Sequence, residues 1–287
     1  MRSLIGINPL PWLFGPSGFT LEVAALRTAF AEVAETGFTA VQADLPEGLT
    51  PAGYRALLRE YGLAPAPGYF HGAYDDSEAM PALLERARRH AGAQAELGMT
   101  EVFIASALAA ERLATPAVGA AYDPERLDTV IDNLARTCEV ITAEGLRPCL
   151  HPHVGTWIET ETETRAVLDA IAPDLLAFGP DTGHLHWAGA DPAALIARYR
   201  DRVGAAHIKD VHTAVAAEGG DYWEATFARH LWTEPGQGDV DLKAALAALP
   251  EDFAGWLVIE VDVPDHGTPK DSAALSRQWT LTHLGKE

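Results

Sequence analysis

The stretch Leu176-Ala-Phe-Gly-Pro-Asp181-Thr-Gly-His184 opens as a short apolar run of strand character and closes on a carboxylate. Three further stretches repeat that design: Cys149-Leu-His-Pro-His153, Val203-Gly-Ala-Ala-His207 and Trp256-Leu-Val-Ile-Glu260. The residues between them read as helices. Apolar runs without alternation suit parallel strands buried on both faces. A closed barrel of parallel strands brings its C-terminal strand ends together at the face where such barrels carry their chemistry. Side chains far apart along the chain would then converge.

Working outward, the same alternation recurs about eight times. Strands are expected at 4–8, 38–43, 65–70, 101–106, 146–151, 175–180, 203–208 and 256–261, with helical patterns at Leu21–Glu35, Ala79–Leu97, Pro124–Glu144 and Asp191–Tyr199. Asp191-Pro192 supplies an N-cap followed by proline at the first helical position. Gly37, Gly62, Gly98 and Gly145 each stand between a helix and the next strand, where a left-handed C-cap belongs. Eight β/α units in 287 residues predict a single (β/α)₈ TIM barrel domain spanning 1–287. An open dinucleotide-binding sheet lacks its motif, since no Gly-x-Gly-x-x-Gly follows the first strand. The longest irregular stretch, 209–238, follows the seventh strand and is expected to form a loop over the site.

Composition narrows the function. A net charge of −20 argues against a nucleic-acid or anionic-membrane surface, which would repel the chain, and is otherwise a device for solubility. No uninterrupted apolar run is long enough to span a bilayer, and the chain starts in an apolar strand rather than a secretory signal. Two cysteines without zinc-type spacing read as reduced core thiols, so a cytoplasmic setting is expected. The chain also lacks a Gly-x-Ser-x-Gly elbow, a P-loop, His-Glu-x-x-His and Cys-x-x-Cys.

Of 11 histidines, His71, His151, His153, His184, His186, His207 and His212 lie at or just after an expected strand end. A lone histidine is more often a hydrogen-bonded structural residue than a ligand, but this many at one rim indicate a site. Asp181 either ends a strand as a ligand or caps the helix that follows. Alternation puts His207 and Lys209 on one side of their strand; Lys209 and Asp210 form either a solvated pair or a cation that holds a substrate oxygen. Glu260 would be costly to bury unpaired, and a metal would resolve that cost. In His151-Pro-His153 either or both imidazoles reach the ion. Trp157 offers an aromatic wall, His184 and His186 point toward substrate hydroxyls, and Glu159 is either a site residue or part of a helix start. Histidine with carboxylate donors suits Mn²⁺ first, with Co²⁺, Fe²⁺, Zn²⁺ or Mg²⁺ as alternatives.

The motifs His151-Pro-His-Val-Gly-Thr, Asp181-Thr-Gly-His-Leu, His207-Ile-Lys-Asp-Val, Pro235-Gly-Gln-Gly-Asp-Val-Asp241 and Gly255-Trp-Leu-Val-Ile-Glu260 resemble the sugar phosphate isomerase/epimerase-like (xylose isomerase-like) barrel superfamily. The chain is most similar there to the inosose (2-keto-myo-inositol) dehydratase group, including Gly6-Ile-Asn-Pro-Leu-Pro-Trp12 at its start. The resemblance implies one divalent ion held by His151, Asp181, His207 and Glu260, with His153 as a substitute for His151, where many relatives carry glutamate. It also implies substrate contact by His184 and a polar role for Lys209. Gln42 stands where dehydratase-like members carry glutamate, and the fourth strand ends without their acidic residue, so the pocket differs from theirs.

The expected activity is a metal-assisted lyase on a small polyhydroxylated keto substrate. The ion would polarise the carbonyl, His153 or Glu260 would remove the α-proton, and His184 or Lys209 would protonate the departing hydroxyl. His71 and Gln42 complete the expected substrate contacts. Isomerisation, epimerisation or β-elimination from a 3-keto-glycoside shares the first half-reaction, and a non-catalytic metal-binding barrel is the remaining alternative. A homo-oligomer is possible.

Overall fold

The computed structural model describes residues 3–15 and 18–284. Eight strand segments form the barrel: β1 (Leu4–Ile7), β2 (Ala40–Gln42), β3 (Ala64–Ala66, resuming at Tyr69–Gly72), β4 (Glu101–Ser106), β5 (Arg147–Leu150), β6 (Ala177–Phe178), β7 (Ala205–Ile208) and β8 (Trp256–Ile259). The helices that follow them in turn are α1 (Val23–Thr36), α2 (Pro51–Glu60), α3 (Met80–Leu97), α4 (Pro124–Ala143), α5 (Glu161–Ala170), α6 (Pro192–Arg198), α7 (Leu242–Ala248) and α8 (Pro269–His283). All neighbouring strands run parallel; Leu4–Ile7 pairs residue for residue with Trp256–Ile259, which closes first strand on last. Between β6 and β7 the ladder thins to the bridges Phe178–Val203 and Asp181–His207. It is held there by Gly204 N–H to Phe178 O at 3.0 Å and His207 N–H to Pro180 O at 2.9 Å.

The expected third strand, 65–70, divides at Pro67 and Gly68. Pro67 has no N–H to give the ladder. A Cβ on Gly68 would stand 2.3 Å from Gln94 Nε2 and 2.4 Å from Ala43 O, so only glycine allows this bend. Gly37, Gly62, Gly98 and Gly145 take φ of 86°, 71°, 89° and 89°, the left-handed conformation that glycine adopts at least cost.

Alternation along each strand sorts two cores. Ile5, Ile7, Val102, Ile104, Leu257 and Ile259 face the helices within the large apolar layer. The barrel interior holds Ala40, Ala66, Phe103, Cys149, Ala177, Ala205 and Val258. Most of these are small, which leaves room for the Phe103 ring, and a Cβ on Gly6 would already meet Ala66 Cβ at 2.9 Å. One step beyond the interior set, the same alternation turns Gln42, His151, His207 and Glu260 inward at the C-terminal face.

The 209–238 segment does cover that face, but it is ordered rather than irregular. It contains an antiparallel pair, Asp210–Val211 with Trp232–Thr233, and the helical turns Thr213–Ala217 and Glu224–Ala228. Its register is set largely by Asp210, whose buried carboxylate accepts N–H from Val211, Gly236, Gly238 and Val240. Both cysteines are buried and unbridged. Among the described residues no helix is long and apolar enough to cross a membrane.

Candidate active site

The C-terminal face holds a cavity of about 1360 Å³. Behind the residues that line it, the buried Phe103 ring stacks on His207 at 4.0 Å. His207, His151 and Asp181 are buried and offer ligand atoms within 4.8 Å of one another. Hydrogen-bond chemistry assigns their tautomers. Gln42 Nε2 donates to Asp44 Oδ2 at 3.1 Å, so Gln42 Oε1 is the acceptor that faces His207 Nε2 at 2.8 Å. His207 Nε2 therefore carries hydrogen and its Nδ1 is bare. That nitrogen accepts from His151 Nδ1 at 2.9 Å, which leaves the lone pair on His151 Nε2. His151 Nε2 and Asp181 Oδ2 are both buried and without a hydrogen-bond partner, 4.0 Å apart. Two acceptors facing each other in a dry site are costly unless something positive lies between them.

The two oxygens of Asp181 are placed differently. Its Oδ1 caps the Thr182–Trp187 turn by accepting His184 N–H at 2.8 Å, while Oδ2 stays free. Burial lowers the His151, His153, His184 and His207 imidazoles below their ordinary value, His207 to about 4 and His153 to about 3. All four are neutral at physiological pH, the form that ligates metal. Burial raises Asp181; a bound cation would keep it ionised. The donor set thus fits a divalent cation. His151 Nε2 and Asp181 Oδ2 are available as they stand, and His207 would join by releasing one hydrogen bond.

Glu260 is placed differently from the other three expected ligands. It shares a metal-competent group with Asp181 and His184 rather than with His151 and His207. Its Oε1 takes the Lys209 ammonium at 2.8 Å, and its Oε2 takes Asn8 Nδ2 at 2.6 Å with His207 Nε2 at 3.4 Å. Burial raises Glu260, but Lys209 and His207 outweigh it and hold the carboxylate well below the usual range. Lys209 is fully buried, 2.5 Å from Asp262 Oδ1 and 4.1 Å from the centre of the Trp232 ring. Burial opposes its charge, yet Asp262 and Glu260 raise it well above the ordinary lysine value. It is a fixed cation, not a solvated surface residue.

His153 lies on the cavity wall with its ring 3.8 Å from that of His184. Its Nδ1 donates to Val154 O at 2.7 Å, so Nε2 carries the lone pair. His184 Nδ1 accepts Val154 N–H at 3.2 Å. Its Nε2 lies 3.4 Å from Lys209 Nζ. His71 and Gln42 also line the cavity.

Two expected substrate contacts and one candidate lie elsewhere. Trp157 is outside the main cavity; its indole N–H donates to Asp75 Oδ2 at 2.9 Å and its ring lies under the Arg112 and Arg126 guanidiniums. His186 projects from the far side of its helical turn and bonds Thr213 Oγ1 at 2.8 Å. Spacing of two along a strand shares a face, but on the Thr182–Trp187 helix it turns His186 away from His184. Glu159 is a structural carboxylate, bound to Arg112 and to the N–H groups of Gly155, Ala117 and Gly119.

Sequence reasoning missed Asn8, Asp44 and Asp262. Asn8 directly follows β1, and Asp262 is two residues past Glu260, so the strand-end and alternation rules that found the histidines reach both. Asp44 is fixed by Gln42 and by Tyr69 N–H at 3.1 Å, contacts that only folding creates.

Residues 30–283 match the model of the xylose isomerase-like TIM barrel family. An inosose dehydratase of Geobacillus kaustophilus is 25% identical over 99% of this chain and 92% of its own length. Another, of Lactiplantibacillus plantarum, is 31% identical over 57% of this chain and 56% of its own; that match spans little more than half of either protein. Among solved structures, a xylose isomerase-like TIM barrel protein from Mycobacterium smegmatis in complex with magnesium superposes with a TM-score of 0.71. It is 20% identical over 99% of both chains.

Proposed function

The chain belongs to the xylose isomerase-like TIM barrel family, and on that premise we propose that it is a divalent-metal-dependent lyase acting on a keto-cyclitol or keto-sugar. The observation that carries this reading is the facing pair of bare, buried acceptors, His151 Nε2 and Asp181 Oδ2, beside the fixed Lys209 ammonium and the free lone pair of His153. Its similarity along nearly the full chain to an inosose dehydratase supports dehydration as the reaction, and the magnesium in the Mycobacterium smegmatis relative supports a divalent ion.

His151 and Asp181, with His207, would hold the ion, and Glu260 approaches the same space from the Lys209 side. A divalent ion bound there would supply Lewis-acid polarisation of a carbonyl. His153 Nε2 opens onto the cavity and removes the proton from the carbon next to the carbonyl. Lys209, kept charged by Asp262 and Glu260, stabilises negative charge as it develops on oxygen, and the proton taken up by His153 passes to the departing hydroxyl, which leaves as water. Gln42 and Asn8 hold His207 and Glu260 in place, so the groups need little rearrangement on substrate binding.

Incubating the metal-loaded protein with 2-keto-myo-inositol tests this directly. The expected result is the absorbance of a conjugated or dione product, abolished by a chelator and restored by Mn²⁺ or Mg²⁺. Activity that survives exhaustive chelation contradicts the metal-dependent reading. Exchange of the α-proton with solvent without dehydration would redirect the assignment to an isomerase or epimerase.

A further inference from the structure

The cavity is larger than a keto-cyclitol needs, and the excess is apolar. Its volume of about 1360 Å³ exceeds the roughly 300–1,000 Å³ of ordinary ligand pockets. Asn8, Gln42, His151, His153 and Glu260 stand at the strand ends that form its floor. From there an arc of rings runs outward. Tyr222 lies 6.0 Å from the His153 ring, Trp223 5.0 Å from Tyr222, and Phe227 5.9 Å from Trp223 in a stacked pair. Phe14 continues the arc at 5.6 Å and Phe19 ends it at 5.5 Å.

Two separate loops build this wall: Phe14 and Phe19 follow β1, while Tyr222, Trp223 and Phe227 belong to the segment after β7. Phe19, Trp223 and Phe227 remain 50%, 40% and 37% exposed. A single polyhydroxylated ring covers one such face, but five rings in an arc match a larger flat partner, because aromatic pairs gain by offset or edge contact beyond simple burial. Charge restricts the partner further. Among the described residues lining the cavity there is no lysine or arginine, whereas Asp44, Asp221, Glu224 and Asp262 are present. Away from the metal-competent floor, a phosphate or carboxylate substituent would meet Asp221 and Glu224 on the wall and no side-chain cation.

We propose that the substrate is an unphosphorylated polyhydroxylated keto ring bearing an aromatic substituent, with the aryl group seated on the arc formed by Phe14, Phe19, Tyr222, Trp223 and Phe227. The proposal rests on the reading of the cavity floor as the keto-polyol site, and it names the part of the substrate that the floor does not hold.

Isothermal titration of the metal-loaded protein with phenyl β-D-glucopyranoside, methyl β-D-glucopyranoside and glucose 6-phosphate tests it. The phenyl glycoside is expected to bind at least about tenfold more tightly than the methyl glycoside. The phosphate should bind no better than the methyl glycoside. In Phe14→Ala/Phe227→Ala the phenyl-to-methyl ratio should fall toward one, with thermal unfolding and circular dichroism used to establish that the variant is folded. Equal affinities in the parent protein overturn the proposal, as does a ratio that survives the double substitution. A loss of oligomeric mass in the variant without loss of the ratio would show that the arc packs against a second copy, and that also overturns it. Turnover of 2-keto-myo-inositol in the same preparation separates the two readings. An intact phenyl preference without turnover refutes the lyase and keeps the aryl subsite, and turnover without a phenyl preference does the reverse.

Discussion

Replacing Lys209 by Met removes the charge at the centre of the site while nearly keeping its bulk. Lys209 Nζ is 2.8 Å from Glu260 and 2.5 Å from Asp262, and all three side chains are buried. In the variant, two carboxylates face the same water-poor space without their cation. Breaking a buried pair by removing one partner costs about 3–5 kcal/mol. The lost contact with the Trp232 face lies within that figure. For a chain of this size the midpoint of thermal unfolding should fall by roughly 6–20 °C. The pH dependence carries a definite sign. Burial and mutual repulsion raise at least one of the stranded carboxylates above its unfolded value. Stability that depends on its protonated form is present at low pH and is lost as pH rises through the folded-state value. The deficit against the parent protein should therefore grow between pH 5 and pH 8. Urea unfolding at both pH values, with chelator present so that no ion neutralises the carboxylates, measures it. A deficit below about 1 kcal/mol, or one equal at the two pH values, refutes Lys209 as the neutralising group.

Three further substitutions probe other parts of the design. Asp181→Asn keeps the cap acceptor but removes the charge at Oδ2; elemental analysis should show metal content reduced several-fold, and activity should be lost while the fold persists. Arg112→Met strands Glu159 and Glu163, which Arg112 contacts at 3.0 and 2.6 Å. It should cost about 3–5 kcal/mol in denaturant unfolding while leaving kcat of the folded enzyme nearly intact, because this cluster lies outside the cavity. Gly183→Ala would put a Cβ 2.9 Å from Lys209 Cγ and 3.1 Å from Trp232 Cζ3. Lys209 is held on its other side by two carboxylates and cannot retreat, so kcat should fall by about 10²-fold with about 1–3 kcal/mol lost from overpacking. An unchanged kcat in that variant would show that the placement of Lys209 is not critical.

The sequence by itself determined the barrel and the rim on which its chemistry stands. Both follow from local physics: apolar runs too continuous for a half-exposed strand, glycines where only a left-handed cap fits, and a period of two that turns Gln42, His151, His207 and Glu260 to one side. Only the tertiary structure decided what each polar group does there. Asn8 and Glu260 meet across 252 positions of chain, and no spacing rule announces that contact. Trp157 and Glu159 stand near His153 in sequence, yet the strand has ended by then, and the turn carries them to Arg112 instead of the cavity. His186 follows His184 by two residues, but on a helix that interval reverses its direction. Lys209 can still be read as a surface cation until Asp262, Glu260 and Trp232 are seen to enclose it. Type and position of the donors are properties of the chain, whereas charge state, tautomer and partner are properties of burial, and burial exists only once the barrel has closed.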